Sequence, residues 1–554
     1  MRIRMGRRML WLGAVVLLIV STLGGRLYRL QVTKADIYAR TAFQQRTLSL
    51  PVNSGRGLIL DRHGVPLADP QRRWGVAVFP QLVQDRQGEA RALANTLGLS
   101  EDLVSLRLAT SQNQPLWLVS QVSAAAAAGV QAMGLPGIAA DQMELRYGRE
   151  ALARHLLGYV NDAGGQLGLE RAFNQQLAGD GGAALVVYRD GTGRPLAGLG
   201  IHKVAPATGK QPYNLYTTID AGIQSVVEQA LGTQRGAAVV LDPATGEVLA
   251  MASRPQYTYA ELAQLLADSH AGSELLNRAV TAYAPGSVFK AVVAAAALDS
   301  GKVSLDEHFY CPGHYEVGGH TFTEAGGGHG DITFREAVAK SCNITFLKVG
   351  YERLGIEGMR QAALRFGFGS ATGALGAGTA WADEQPGRVP APGDGGAVQM
   401  AFGQGELTVT PLQVARAFAA IANGGTLPPV RLVTALKTAA GEVVGRPEAG
   451  AAQRVISEEA AAALQRALVA VTDPRGAGTG KKAWVEAGGA AGKTGSAEAT
   501  DDAGHPTVHA WFAGYLPAAA PRYVVVVMAE GGGAGGAVAA PIFNQIGTAI
   551  LARS

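Results

Sequence analysis

The sequence lacks a marked excess of charge of either sign. Its 554 residues carry 48 lysines and arginines against 44 aspartates and glutamates, so the net charge is only +4. Proteins that bind nucleic acid usually concentrate basic residues in a stripe or patch. We therefore expect no nucleic-acid partner.

Long hydrophobic runs are scarce as well, and one near the start is long enough to cross a bilayer. It covers residues 9–25 and follows four arginines, Arg2, Arg4, Arg7 and Arg8. Such a run is near the lower length limit for a membrane span, and basic residues beside it stay in the cytoplasm. We predict a cytoplasmic tail at 1–8, a single transmembrane anchor at 9–25 and an extracytoplasmic location for the rest. The amphipathic continuation favours a retained anchor over a cleaved signal peptide.

Low-complexity sequence is also missing, although glycine is frequent at 74 residues. A hydrophobic content of 47% with periodic apolar segments indicates folded domains. Because 554 residues exceed what one core usually organises, we expect at least two of them. Residues 26–212 show strand pairs around turns at 61–64 and 190–191, helices, and scattered charge without a catalytic constellation. This part is predicted to be an elongated α+β pedestal.

Residues 213–554 differ in character, with strand signals at both ends and helical periodicity between them. The first signals are a helix that Asp220 caps and a hairpin at 236–253. Later elements lie near the end of the chain, with strands at 489–497, 509–516 and 522–530 and a helix at 537–552. This order predicts an α+β domain in which helices are segregated around an antiparallel sheet.

The segment "YAPGSVFKAVVAAAAL" combines a turn signal with the start of a helix. Pro285 and Gly286 precede the helical run, so Ser287 is predicted in its first turn. Lys290 follows three residues later on the same face, where a desolvated amine can take the serine proton as general base. Alone, this spacing is weak, because an exposed pair on a helix is its commoner meaning.

Two further triplets strengthen the case for a catalytic site. Ser341-Cys342-Asn343 stands in "AVAKSCNITF", and Lys493-Thr494-Gly495 stands in "AGKTGSAEAT" on a predicted strand. Three such motifs in this order, in helix, loop and strand contexts, rarely coincide by chance. The set is typical of penicillin-binding proteins and class A β-lactamases.

With these motifs the chain resembles the class B penicillin-binding proteins, in particular their elongation-type and sporulation-type members. The resemblance covers nearly the whole sequence. Further phrases follow the family's order, namely "RGLILDRHGVPLA", "LLGYVNDAGGQLGLE", "YTTIDAGIQ", "GAAVVLDPATGEVLAMASRPQY", "NRAVTAYAPGSVFK", "AFGQGELTVTPLQVARAFAAIANGG" and "HAWFAGYLP". The fold implied is α+β, with a penicillin-binding, β-lactamase-like transpeptidase domain that has an antiparallel sheet, helices on both sides of it and a helical lobe. One membrane helix and an elongated pedestal domain, similar to a dimerisation domain, precede it.

The resemblance implies a D,D-transpeptidase that cross-links peptidoglycan and is a target of β-lactams. Ser287 would be acylated by the penultimate D-Ala carbonyl of a stem peptide, with Lys290 as its base. Ser341 and Asn343 would relay protons and hold the substrate amide.

The same resemblance assigns the third motif to the substrate carboxylate. Lys493 and Thr494 would bind it, as a fixed cation and a hydroxyl can. Ser496 would supply one of two N–H donors to the oxyanion, the other being that of Ser287. At Gly495 a side chain would obstruct a peptide laid along the sheet edge, so we expect strand addition there.

Other activities share parts of this pattern. A β-lactamase has the same motifs but is soluble and shorter, and no acidic residue stands out for deacylation. A β-lactam sensor would have more membrane helices, and a bifunctional class A protein would need a glycosyltransferase domain that residues 26–210 do not resemble. A D,D-carboxypeptidase stays open, because only the acceptor changes from amine to water. A catalytically idle scaffold that regulates a membrane glycosyltransferase is disfavoured by the intact Ser287 and Lys290.

Partners also follow from the resemblance. Class B proteins commonly work beside a membrane-embedded polymerase of the shape, elongation, division and sporulation family. We expect contact with it through the anchor and pedestal, in the cytoplasmic membrane.

Cys311 and Cys342 are the chain's two cysteines. An even pair outside the membrane makes a disulfide the simplest expectation, and free buried thiols are the other possibility. Some elongation-type relatives resemble this segment and bind structural zinc there. The resemblance implies Cys311, His329 and Cys342 as ligands, with Glu324 or His320 in the fourth place. No cofactor is expected to be needed for catalysis itself.

Overall fold

The computed structural model describes residues 2–111, 114–161, 163–179, 182–205, 211–268, 273–317 and 320–553. The α-helices in these ranges are α1 (Arg2–Tyr28), α2 (Ala35–Arg46), α3 (Arg86–Leu97), α4 (Glu101–Thr110), α5 (Ala124–Ala132), α6 (Arg154–Leu157), α7 (Gly168–Ala172), α8 (Asn174–Leu177), α9 (Ala221–Leu231), α10 (Leu262–Ala267), α11 (Lys290–Asp299), α12 (Phe334–Lys340), α13 (Asn343–Leu347), α14 (Gly355–Arg365), α15 (Pro411–Ala422), α16 (Glu458–Thr472) and α17 (Ala539–Leu551). The strands are β1 (Thr47–Pro51), β2 (Ile59–Leu60), β3 (Gln71–Val78), β4 (Leu116–Val122), β5 (Ile138–Leu145), β6 (Val160–Asn161), β7 (Gly164–Gly165), β8 (Ala184–Tyr188), β9 (His202–Val204), β10 (Asn214–Thr217), β11 (Gly236–Leu241), β12 (Val248–Arg254), β13 (His308–Cys311), β14 (His314–Val317), β15 (His320–Thr323), β16 (Gly330–Thr333), β17 (Thr426–Leu427), β18 (Val433–Lys437), β19 (Val443–Gly445), β20 (Gln453–Arg454), β21 (Ala491–Thr500), β22 (Pro506–Leu516) and β23 (Tyr523–Ala529).

The chain forms two compact units. The first contains residues 1–56, 70–146 and 178–212, and the second contains 57–69, 147–177 and 213–554. Residues 57–69 and 147–177 therefore belong with the second unit, whereas sequence analysis assigned them to the pedestal. The reason is pairing and packing: Leu215 of β10 pairs with Ile59 of β2 in parallel, and Leu157 lies in the core of the second unit.

The first unit begins with the long apolar helix α1. A continuous helical stretch over residues 8–33 is long and apolar enough to cross a membrane, and none of its most apolar window is buried within the protein. The helix begins before the predicted anchor, at Arg2, and a π-helical turn at Arg29–Thr33 continues it beyond the predicted end. Such a span is about 30 Å or more, which matches the hydrocarbon core of a bilayer.

The first unit also contains helices α2 to α5 and two antiparallel three-stranded sheets, in the orders β4-β3-β5 and β1-β8-β9. The predicted strand pairs are confirmed only in part. Across the 190–191 turn, a single bridge joins Arg189 and Pro195, and β8 forms its longer pairings with β1 and with β9. Across the 61–64 turn, which lies in the second unit, Leu60 and Pro66 likewise form one bridge.

A five-stranded antiparallel sheet organises the second unit, in the order β12-β11-β23-β22-β21. Its strands come from the predicted hairpin and from the three predicted strands at the end of the chain. The sequence prediction of an antiparallel sheet is thus confirmed, with strand ends shifted by a few residues. Strand β21 lies at the edge of this sheet.

Helices cover both faces of the sheet. Successive side chains of each strand point to opposite sides, so both faces carry apolar residues that the helices bury. On β11, Val239 joins one apolar core with α11, α15 and α16, while Val240 joins a second core with α9 and α17. Asp220 caps α9 as predicted, since its carboxylate accepts the N–H of Ile223 at 3.0 Å. The larger core continues into the helical region between β12 and β21, and this arrangement brings the start of α11 to the edge strand.

Candidate active site

Ser287 lies where a 3₁₀ turn, Gly286–Phe289, runs into α11. The chain can approach β21 here because Gly286 has no side chain and a positive φ of 56°. A Cβ at Gly286 would lie 2.6 Å from the carbonyl oxygen of Ser496, and one at Gly403 would lie 1.9 Å from that of Gly286. Backbone contact therefore fixes the serine beside the edge strand.

Lys290 is buried one turn after Ser287, with none of its surface exposed. Its Nζ donates to the Oδ1 of Asn343 and to the carbonyl oxygen of Ser341, each at 2.6 Å, and lies 3.3 Å from Ser341 Oγ. Burial lowers the pKa of Lys290 to about 8, against a smaller opposing attraction from the Glu324 carboxylate. An amine with this pKa can exchange protons near neutral pH.

The second motif lies between two helices whose ends hold its residues in place. Ser341 follows α12 in the left-handed conformation, with a φ of 62°, which is uncommon for a residue with a side chain. The Sγ of Cys342 accepts the N–H of Thr345 as the cap of α13. Glu324 accepts the N–H of Asn343 at 2.6 Å, so this carboxylate also fixes the motif.

The third motif lies on β21 and reaches the other two through Ser341. The Nζ of Lys493 donates to Ser341 Oγ at 2.8 Å and to the carbonyl oxygen of Thr494 at 3.2 Å. Burial and the neighbouring Lys290 lower the pKa of Lys493 well below its usual value. The two amines thus share one hydroxyl, an arrangement that can pass protons through Ser341.

A cleft of about 910 Å³ opens above these groups. Ser287, Ser341, Asn343, Thr494 and Ser496 line it, whereas Lys290 and Lys493 lie buried beneath. All the motif residues predicted from the sequence are therefore brought to one site, with the hydroxyls at its surface and the amines below.

Two residues at this site were not predicted. The hydroxyl of Thr479 lies 2.6 Å from that of Thr494, which makes a pair of hydroxyls on the cleft wall. Gln404 donates to the carbonyl oxygen of Ser496 at 3.5 Å. Gln404 belongs to the phrase "AFGQGELTVTPLQ", so the resemblance signalled the region but not the residue's contact.

Gly495 needs a different explanation from the one that the sequence suggested. A Cβ there would lie 2.9 Å from the carbonyl oxygen of Pro285 and 3.0 Å from Val288 Cγ1. Its missing side chain therefore lets α11 pack on the sheet. Beside it, the Ser496 carbonyl points away from β22 and accepts from the side chain of Gln404, so the strand addition expected at this edge stays a prediction.

The predicted metal ligands also come together. Cys311, Glu324, His329 and Cys342 place one potential ligand atom each within 4.8 Å of one another. Both cysteines are buried free thiols, and Cys311 Sγ lies 3.6 Å from His329 Nδ1. His320, the other candidate for the fourth place, is exposed at the start of β15 and is not part of this group.

Two family models match the chain. The model of the penicillin binding protein transpeptidase domain matches residues 236–548, and that of the penicillin-binding protein dimerisation domain matches residues 51–212. The first contains all three motifs of the cleft.

Curated relatives and a solved structure resemble the chain over most of its length. Stage V sporulation protein D of Bacillus subtilis (strain 168) is 32% identical, over 96% of this chain and 83% of the relative. Peptidoglycan D,D-transpeptidase FtsI of Escherichia coli (strain K12) is 30% identical, over 97% and 90%. The crystal structure of the D,D-transpeptidase domain of a peptidoglycan glycosyltransferase from Eggerthella lenta aligns with a TM-score of 0.63 and 25% identity, covering 90% of this chain and 99% of the solved one.

Proposed function

We propose that this chain, which belongs to the class B penicillin-binding proteins, carries out peptidoglycan D,D-transpeptidation through an acyl-enzyme on Ser287. The function itself follows from the family and from relatives of the same activity. The observation that supports the residue assignment is the convergence of Ser287, Ser341 and Thr494 on one cleft above two buried amines. Covalent labelling by penicillin, followed by identification of the labelled residue, tests it.

In the acylation step, Ser287 Oγ attacks the carbonyl carbon of the penultimate D-Ala of a donor stem peptide. The serine proton passes to the neutral Nζ of Lys290, and the oxyanion receives the N–H groups of Ser287 and Ser496. A proton relayed through Ser341 Oγ reaches the nitrogen of the terminal D-Ala as the C–N bond breaks. The terminal D-Ala leaves, and an ester on Ser287 remains.

In the second step, the amine of an acceptor peptide attacks the ester carbon. The amine gives up a proton, the ester bond breaks, and Ser287 recovers its hydroxyl. Water in place of the amine would give carboxypeptidase activity, and the same residues serve both reactions.

We assign the donor carboxylate to the paired hydroxyls of Thr479 and Thr494, with Lys493 acting from beneath. Lys493→Ala should slow acylation by penicillin by about tenfold to a hundredfold, because the substrate loses a nearby cation and Ser341 loses a hydrogen-bond donor. Stopped-flow labelling with a fluorescent penicillin measures this rate. Lys437→Ala, on β18 away from the cleft, is the matched control. If the acylation rate of Lys493→Ala equals that of the wild-type protein, Lys493 does not act on the substrate carboxylate and has only a structural role.

We also propose that Cys311, His329, Cys342 and Glu324 hold a structural zinc ion. Two thiolates, an imidazole and a carboxylate are an acceptable tetrahedral set, in which ligand atoms lie about 3.5 Å apart. The observed spread of up to 4.8 Å is compatible with closure around an ion. Burial raises the pKa of the Cys342 thiol to about 12 in the metal-free protein, and a bound zinc ion would displace this proton. The ion would brace the loop that carries Ser341 and Asn343, through the contact of Glu324 with the Asn343 N–H.

Protein purified without chelator should contain one zinc ion per chain. Its removal should lower the melting temperature by several degrees and slow acylation by penicillin, because the loop loses its brace. His329→Ala should reproduce both effects, and His314→Ala, an exposed histidine of β14, should reproduce neither. Elemental analysis with thiol titration measures the outcome. Two titratable thiols without metal, or neither metal nor free thiol, would contradict the proposal.

The apolar helix supports a single-pass topology with the second unit outside the cytoplasm. A fusion of alkaline phosphatase to the C-terminus of the full chain should be active in the membrane fraction, because the reporter folds only after export. Release of the protein from the membranes by an alkaline wash would contradict this topology. A full-length fusion whose phosphatase is inactive would contradict it as well.

We further propose a membrane-embedded polymerase of the shape, elongation, division and sporulation family as the partner. Support comes from the segment that follows the span. On α2, Ile37, Tyr38 and Phe43 expose apolar side chains, with Ile37 60% exposed. Exposed apolar residues beside a membrane helix are typical of contact surfaces.

A further inference from the structure

A cavity of about 630 Å³ lies at the C-terminal end of the long apolar helix, and it shares no lining residue with the catalytic cleft. Three cationic side chains converge on it, those of Arg26, Arg29 and Lys34, and Leu30 and Tyr38 belong to the same lining. Within the residues that the structure describes, no hydrogen bond or ion pair engages these three cationic groups. Their charges are therefore available to an anion.

The π-helical turn at Arg29–Thr33 produces this convergence. In a regular α-helix, residues five apart differ by about 140° around the axis, so Arg29 and Lys34 would face different directions. A π-helical turn instead links residues five apart, and here the N–H of Lys34 donates to the carbonyl oxygen of Arg29 at 2.9 Å. Arg26 precedes Arg29 by three residues, which places the two side chains next to each other on α1. Such turns are rare and occur mostly at functional sites.

We infer that this cavity binds the phosphate headgroup of an anionic glycerophospholipid in the outer leaflet of the membrane. Arg26, Arg29 and Lys34 are the residues that hold it, and we call them the headgroup site. The inference rests on the proposed single-pass topology and is independent of the acyl-transfer steps.

The depth of the headgroup site in the bilayer identifies the ligand. The uncharged run ends at residue 25, so Arg26 follows it directly. Arg29 lies about 4.5 Å further along the helix axis, and the polar layer on each side of a bilayer is about 5–7 Å thick. Both guanidinium groups therefore lie at the level of the lipid phosphates, which their planar N–H donors can bind in pairs. An acidic segment of a protein partner would match the same charges, but lipid headgroups surround this depth at all times.

The basic residues on this side of the span also need a physical reason. Such residues normally collect on the cytoplasmic side, where the four arginines at the start of the chain lie. Compensation of the helix dipole accounts for Arg26 in the last turn of α1. It does not account for Lys34, which lies beyond the π-helical turn and faces the same cavity. A bound anionic headgroup accounts for all three cations together.

The test uses the full-length protein in detergent micelles and counts bound lipids by native mass spectrometry. Phosphatidylglycerol is titrated against phosphatidylcholine, which has the same phosphate but no net charge. We expect the wild-type protein to retain one phosphatidylglycerol about tenfold more tightly than phosphatidylcholine. Arg29→Gln should lower this preference to about threefold, and replacing all three cations by glutamine should abolish it. Arg46→Gln removes one charge at the end of α2, outside the cavity, and should keep the wild-type preference.

A relocated charge separates a built site from general attraction to anionic lipid. Thr33→Lys combined with Lys34→Gln keeps the net charge but moves the amine away from the position that the π-helical turn aligns with Arg29. This double variant should lose as much preference as Lys34→Gln alone. A wild-type preference in the double variant, or in the variant without the three cations, would overturn the inference.

Equal binding of the two lipids by the wild-type protein would also overturn it, in favour of an acidic protein partner. Release of the bound lipid by inorganic phosphate would overturn it in favour of a soluble phosphate ligand. Penicillin should label Ser287 equally in all these variants, which shows that the second unit is folded in each. Failure of the wild-type protein to be labelled would instead refute the proposed function and would leave the lipid result unaffected.

Discussion

Ser287→Ala should abolish covalent labelling by penicillin and lower cross-linking activity by more than about a thousandfold. The variant removes the one atom that forms the ester, and no neighbouring hydroxyl is placed on α11 to replace it. The fold should persist, because Ser287 is only partly buried and the contacts of Gly286 with Gly403 and Ser496 are made by the backbone.

Mass spectrometry after incubation with penicillin measures the first effect, and circular dichroism on heating checks the second. Ser225→Ala is a matched control, since Ser225 is a partly buried serine on α9 outside the cleft. Stoichiometric adduct on the Ser287 variant would show that another residue is the nucleophile.

Lys290→Met should slow acylation by about a hundredfold to ten-thousandfold, which is the usual contribution of a general base. Methionine fills most of the same volume, so the loss should be chemical and not one of packing. The pH profile gives a more specific signature. The pKa of Lys290 is lowered to about 8, and only the neutral amine accepts the serine proton.

The wild-type acylation rate should therefore rise with pH, about tenfold per unit below 8, and level off above it. The Lys290→Met variant should lose this rise. Burst kinetics with penicillin between pH 6 and about 9.5, at constant ionic strength, measure both profiles. An identical pH dependence in the two proteins would exclude Lys290 as the base.

The catalytic residues could be predicted because each motif is local. Ser287 and Lys290 are one turn apart, and the Lys-Thr-Gly triplet lies on one strand, so short phrases identify them. Thr479 carries no comparable signal. It meets Thr494 only because the chain before β21 folds back over the sheet, where its N–H donates to the Ala339 carbonyl at 3.1 Å.

The fold, too, could be predicted only where the sequence signal is local. Continuous apolar runs predict β11, β22 and β23, whose side chains enter two cores. The two-residue strand β2 is too short for such a pattern, and its parallel partner, β10, lies far along the chain. For that reason the sequence did not predict the boundaries between the two compact units. Similarly, the sequence explains that Gly495 must be small, but only the packing against Pro285 shows which neighbour requires it.

The central sheet has a consequence for the order in which the protein can mature. Strand β11 pairs with β12, which is adjacent in sequence, and with β23, so that Val239 meets Val526 near the end of the chain. The edge strand β21 joins the sheet only through β22, which is synthesised later still. Contacts of such long range are slow to form, since a large loop must close first. The backbone of Ser496 therefore reaches its place beside Ser287 only after β22 and β23 have been synthesised. A nascent chain that lacks these strands should therefore not react with substrate or antibiotic.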